Sequence, residues 1–152
     1  MIPTTIVVHH TATKDNISID SIEQWHKAKF NLESSLGSFI GYHYTIDKDG
    51  IVYQSRRDNE IGAHCIPNDG KIGIALIGDF TINNPTDDQV HQLRLLTGKL
   101  KSDYHINHIY GHRDFFRTAC PGDNLYKFVL LDKISLLQHL INFLKNKIYP
   151  HV

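Results

Sequence analysis

Apolar residues along the chain recur with two periods, about two residues in some stretches and about 3.6 in others, so short strands alternate with longer helices. Thr5 to Val8 is a β-branched run too short for a helix and reads as a buried strand ending at His9 and His10. Ser18 to Phe30 carries Ile19, Ile22, Trp25, His26, Lys29 and Phe30 at helical spacing, with Ser18 or Ser21 placed to cap the first turn. Asn31 to Ser38, holding Ser34, Ser35 and Gly37, reads as a loop. Tyr42 to Ile46 and Ile51 to Gln54 are alternating runs on either side of Asp47-Lys48-Asp49-Gly50, the pattern of a hairpin whose turn ends in Asp-Gly.

Gly62 to Lys71 is loop-like, and Ile72 to Ile77 is small and apolar nearly throughout, as a central strand buried on both faces is. At Pro85-Thr86-Asp87-Asp88-Gln89 the chain shows a capping box, Thr86 with Gln89, followed by Val90, Leu93, Leu96 and Leu100 on one helical face. Ile106 to Gly111 is a short strand. Beyond Pro121 and Gly122 the pattern predicts a helix to about Lys147, with Ile134, Leu137, Leu140, Ile141 and Leu144 as its buried stripe. Strands interleaved with helices predict an α/β fold, a mixed sheet of about five strands flanked by helices on both faces. The chain of 152 residues has the length of one domain, residues 1–152, and no internal repeat or linker divides it.

Charge narrows the partners. Sixteen Lys and Arg balance sixteen Asp and Glu, which leaves no basic surplus for a phosphate backbone and excludes nucleic acid as the expected partner. No apolar stretch approaches the ~18 residues of a membrane span. The N-terminus lacks a basic region and has only the aliphatic run Ile6 to Val8, against the ~7 to 15 residues of a signal peptide core. A monomer made in the cytoplasm, reaching any outside target by another route, is the expectation. Two cysteines, Cys65 and Cys120, are too few for a disulfide scaffold, although their number permits one bridge.

Histidine is over-used, at 11 residues, where Met and Trp occur once each. His9, His112 and Cys120 each lie where a strand ends or where Gly and Pro pin a loop, and two imidazoles with a thiolate are good zinc donors that leave a fourth position open. Adjacent strand residues face opposite ways, so of His9 and His10 one is the ligand and the other a support. A copper site of the same donors takes a weak axial Met, and with Met1 the only methionine that reading loses its usual fourth ligand. The short stretch from His112 to Cys120 can form a loop that returns a thiolate to an imidazole; spacing alone leaves that convergence open.

Several blocks together carry a resemblance: Ile6-Val7-Val8-His9-His10-Thr11-Ala12-Thr13, Gly41-Tyr42-His43-Tyr44, Asp49-Gly50 with Val52 to Arg56, Gly62-Ala63-His64, Ile72 to Phe80, and Gly111-His112-Arg113-Asp114 through Thr118-Ala119-Cys120-Pro121-Gly122. In this order they resemble the type 2 zinc N-acetylmuramoyl-L-alanine amidases, the family of bacteriophage T7 lysozyme and the peptidoglycan recognition proteins. The resemblance implies an amidase fold binding one Zn²⁺ through His9, His112 and Cys120, with Tyr42 and Thr118 in catalysis and His64 and Asn68 lining the groove for peptidoglycan. It implies hydrolysis of the amide between N-acetylmuramic acid and L-alanine, the work of a cell-wall lytic enzyme such as a phage or prophage endolysin. A secreted effector or a wall-recycling enzyme would share these features. Ala75 stands where other amidase branches place Glu, Lys71 where Ser is common, and Asn31 to Ser38 is longer than usual. Two other readings keep the same residues: a peptidoglycan-binding module without catalysis, and a cysteine hydrolase using Cys120 or Cys65.

Overall fold

A computed structural model describes residues 1–132. The helix expected to reach Lys147, with its stripe from Ile134 to Leu144, begins within them, since residues 123–132 are helical, and otherwise lies outside the described residues. The elements run β1 (Thr5–His10), α1 (Ile19–Phe30), β2 (Tyr44–Ile46), β3 (Val52–Gln54), β4 (Lys71–Leu76), α2 (Asp87–Tyr104) and β5 (Ile109–Gly111), and a 3-10 turn, His112–Asp114, follows β5. One sheet holds all five strands in the order β3-β2-β4-β1-β5. β1 runs parallel to both β4 and β5, β2 runs parallel to β4, and only the β2–β3 hairpin is antiparallel.

Alternation along the strands sorts side chains between two faces. Ile6 and Val8 of β1, Ile72, Ile74 and Leu76 of β4, and Tyr44 and Ile46 of β2 share one face and form the main core with Leu93 and Leu100 of α2 and with Leu125 and Val129. The opposite face presents Val7, His9, Gly73, Ala75 and Ile77, and α1 rests there by packing Ile22 on Ile77 and Ile40. Burial on α1 follows Ile22 and, four residues on, His26. Trp25 falls on the flank of that line and is 53% exposed, so it does not join the buried stripe.

The caps expected from the sequence hold both helices. Ser18, and not Ser21, caps α1 by accepting the Ser21 N–H, while Thr86 and Gln89 form the reciprocal box at the start of α2. β1 ends at His10, as expected, and His9 and His10 keep the parallel partners Ala75 and Leu76. Other strand ends differ from expectation: β3 begins at Val52 and not Ile51, β4 runs Lys71–Leu76 and not Ile72 to Ile77, and β5 begins at Ile109, where pairing with Ile6 starts, and not at Ile106. β2 begins at Tyr44, not Tyr42, because Gly41 and His43 turn aside to hydrogen-bond Ala63 and Gly73. Both cysteines are free, so the bridge that their number permits does not form.

Candidate metal centre and substrate cleft

Parallel pairing places the first two candidate ligands side by side. Val8 lies opposite Gly111, so His9 and His112, the next residues on adjacent strands, leave the carboxyl end of the sheet together, with ring centroids 4.5 Å apart. The third arrives by a loop with its own fasteners: Arg113 N–H donates to the Cys120 carbonyl at 3.0 Å, its guanidinium bonds the Ala119 carbonyl at 2.6 Å and Asp123 at 2.5 Å, and Thr118 Oγ1 accepts the Cys120 N–H at 3.2 Å. Gly122 closes the loop. At φ +85° it lies so near the Phe80 carbonyl that a Cβ there would come within 2.2 Å of the carbonyl carbon. The outcome is one ligand atom each from His9, His112 and Cys120, all within 4.8 Å of one another.

His10 leaves the strand on the opposite side. Its Nδ1 accepts the Phe80 N–H at 3.2 Å and lies 3.6 Å from Asp79. It therefore supports the Phe80 segment on which the Cys120 loop rests.

Hydrogen bonds fix the tautomers of the other imidazoles near His9. His64 Nε2 faces the Lys71 carbonyl at 3.3 Å, which can only accept, so the His64 proton is on Nε2 and its Nδ1 is a lone pair. That lone pair accepts from His9 Nε2 at 3.1 Å. His9 Nδ1 is thereby left unprotonated, 3.7 Å from Cys120 Sγ. Zinc bonds of ~2.1 Å to nitrogen and ~2.3 Å to sulfur, at a tetrahedral angle, span about 3.6 Å, so the donor pair fits zinc without rearrangement. Met1 sulfur accepts the Gly70 N–H at 3.2 Å, near the start of β4, and offers no axial ligand for copper. The His64 ring lies flat on Gly73, where a Cβ would come within 2.7 Å of it; this contact is the reason for glycine in the centre of β4.

Burial governs the electrostatics. It holds His9 well below the ordinary histidine value, helped by His64 and His112, and lowers His112 also; both are neutral imidazoles at pH 7. His64 is depressed to about 3, first by burial and then by His43. The Cys120 thiol is pushed up to about 11 by burial. A cysteine nucleophile needs thiolate and imidazolium, and here burial drives both groups the other way. A cation bound between them would reverse the thiol shift directly, because a coordinating thiol is deprotonated. Cys65, the other candidate nucleophile, is 2% exposed and stands by Lys71, whose Nζ donates to the Pro67 carbonyl at 2.5 Å.

The cleft around these groups has a volume of about 290 Å³ and is lined also by Tyr42, Thr118, His26, Lys29 and Phe30. Tyr42 lies 5.2 Å from the His9 ring, centroid to centroid, and burial, with the Cys120 charge second, raises its hydroxyl above the ordinary value, so it carries its proton. Thr118 is on the rim. An adjoining chamber of about 400 Å³ shares Phe30, Ala63, His64 and His112 with the cleft and adds Cys65, Ile66, Asn68 and Phe116. Asn68 Oδ1 is engaged by the His64 and Cys65 N–H groups, at 2.9 and 2.8 Å, and so shapes the loop that carries His64. Ala75 is paired with His9 and wholly buried, so no carboxylate occupies the place where other branches have one. His26, Lys29, Phe30 and Phe116 were not singled out for the site by sequence reasoning. The helical period of α1 marks what faces the core, and a cleft rim has no period of its own.

Five mixed strands with helices on both faces make a protein of the α/β class, in which two imidazoles and a loop-borne thiol gather as a donor set that could hold a metal ion. The sequence profile of the N-acetylmuramoyl-L-alanine amidases matches residues 1–123, and the chain belongs to that family. It is 32% identical over 131 residues to the endolysin of Enterobacteria phage T3, a match covering 81% of this chain and 83% of that protein. The N-acetylmuramoyl-L-alanine amidase of Sus scrofa is 32% identical over 109 residues, 66% of this chain. The matches span only 18% of that protein and 23% of its Homo sapiens counterpart. Among solved structures, the N-acetylmuramoyl-L-alanine amidase LysC from Clostridium intestinale URNW superposes with a TM-score of 0.75 at 34% identity, over 84% of this chain and 83% of that one.

Proposed function

We propose that this protein is a zinc-dependent amidase that hydrolyses the bond between N-acetylmuramic acid and L-alanine in peptidoglycan, acting as a monomer in the manner of a cell-wall lysin. The convergence of His9, His112 and Cys120 within 4.8 Å carries the reading, and the family and the endolysin relative support it. Zinc held by these three residues would supply a Lewis acid and lower the pKa of a water molecule to ~7.

The chain's own groups do the rest. His64 holds His9 with Nδ1 turned toward Cys120, and Asn68 holds the loop that carries His64. Tyr42, protonated in its buried setting, donates to the carbonyl oxygen of the scissile amide as that oxygen gains negative charge. Thr118 spends an oxygen lone pair on the Cys120 N–H and keeps its O–H free to donate into the cleft. The leaving group is the alanine nitrogen, which must acquire a proton. With Ala75 beside His9 that proton has no carboxylate source at this strand position.

Digestion of purified peptidoglycan tests the reading. New N-terminal alanine without new reducing sugars is the expected product pattern; reducing sugars alone would make the protein a glycosidase. Binding without either product would make it a recognition module.

A further inference from the structure

Tyr42 is carried by a stretch outside the sheet, since β2 begins only at Tyr44, yet the main chain around it is bonded group by group. Glu23 of α1 accepts the Ser38 hydroxyl at 2.6 Å with one oxygen and the Phe39 N–H with the other. Ser38 Oγ in turn accepts the Ile40 N–H at 3.1 Å. Three residues on from Glu23, His26 Nδ1 accepts the Gly41 N–H at 2.7 Å. From the end of β3 comes Arg56, 2% exposed, whose Nε donates to the Ile40 carbonyl at 2.7 Å. Its two Nη atoms donate to the carbonyls of Ile61 and Leu32. Burying a guanidinium on main-chain carbonyls is unfavourable, and the nearby charges of Glu60 and Glu23 offset part of that. Neither Glu23 nor Arg56 lines the cleft or the adjoining chamber.

We propose that Glu23 and Arg56 are positioning residues for turnover: gripping residues 38–41 from two sides, they set where the Tyr42 hydroxyl points. The inference rests on the amidase reading and extends the machinery of that reaction to side chains that never reach the substrate. Packing on Ile22 and Ile40 seats the Tyr42 ring, but apolar contact has no direction and leaves the ring free to pivot. Hydrogen bonds are directional, and the backbone next to Tyr42 is held by them. The phenol oxygen is the far end of the side chain, so a small turn of this backbone becomes a large displacement of the donor. A donor to a developing oxyanion has to be held within about 0.5 Å, and a misplacement of about 1 Å can lower the rate by about 100-fold. Arg56 acts twice over, since the residue whose carbonyl it binds, Ile40, also packs against Tyr42.

The test is a double-mutant cycle on the zinc-loaded enzyme with a soluble N-acetylmuramyl peptide as substrate. Glu23→Gln keeps one acceptor and turns the other into a donor, so kcat should fall about tenfold while KM stays within about twofold of wild type. In the Tyr42→Phe background no hydroxyl is left to place, and the same substitution should change kcat by less than about twofold. Arg56→Lys keeps the charge but loses the fork that spans separate carbonyls, and should show the same dependence on Tyr42. If Arg56→Lys does not fold, Glu23→Gln alone decides. NMR reads the placement without turnover, through the cross-peak between ring protons of Tyr42 and His9, whose centroids are 5.2 Å apart. Well below the thermal midpoint, that cross-peak should lose about half its intensity in Glu23→Gln. Equal losses of kcat in both backgrounds, or an unchanged cross-peak, overturn the proposal. A wild type that releases no alanine would remove the amidase reading, and the cross-peak would still decide whether Glu23 holds Tyr42 in place.

Discussion

A hydroxyl is all that Tyr42→Phe removes, and the ring that packs beside Ile22 and Ile40 remains. Turnover should fall about 100-fold, the usual cost of losing one donor to a developing oxyanion, while zinc content and the unfolding midpoint stay unchanged. A variant of near wild-type rate would make Tyr42 a packing residue. The histidines offer a second check, through acid. His26 and His64 are depressed to about 4 and about 3 by burial, whereas unfolded imidazoles take up protons near ~6.5. Between those values the unfolded chain binds more protons than the folded one, so stability present above pH ~6.5 is lost as pH falls through the window. The thermal midpoint of metal-depleted protein should decline steadily from pH 6.5 to 4, and His64→Gln should flatten the decline. A midpoint that stayed level would mean that these imidazoles are not held neutral. Sequence motifs located His9 and His64, but not which nitrogen of each is free. That depends on the Lys71 carbonyl, far from His9 in sequence and next to His64 in space.

At the level of elements, the helix starts were readable because capping is local: Thr86 and Gln89 meet within one turn. Thr86→Ala should cost about 1 kcal/mol of stability and leave zinc binding alone. Gly122→Ala should do something different. Its φ of +85° and its contact with the Phe80 carbonyl admit no side chain, so the loop must move and Cys120 with it. Zinc affinity should drop in Gly122→Ala and not in Thr86→Ala; equal affinity in both would show that the loop's position is immaterial to the metal. Strand extents were harder to read. Ile106 to Gly111 reads as one run, yet β5 pairs only from Ile109, where β1 offers Ile6. Tyr42 alternates like a strand residue, yet Gly41 and His43 are drawn out of line by Ala63 and Gly73. Both extents are set by partners distant in sequence.

Across the whole molecule, one sheet separates two tasks. The face with Ile6, Val8, Ile74 and Leu76 buries the core under α2, and the face with His9, Gly73 and Ala75 is left to carry chemistry beneath α1. The proposed ligands His9 and His112 therefore sit at the end of paired strands, and Cys120 comes to them on a loop held by Arg113 and Phe80. Zinc titration of metal-depleted protein, with release of N-terminal alanine from peptidoglycan as the signal, tests this arrangement most directly. Activity should return in proportion to added zinc and level off at one equivalent per chain, and Cys120→Ser should stay inactive under the same titration. Full activity in the metal-depleted protein, abolished by a thiol alkylator and indifferent to zinc, would contradict the metal site and make Cys120 a nucleophile.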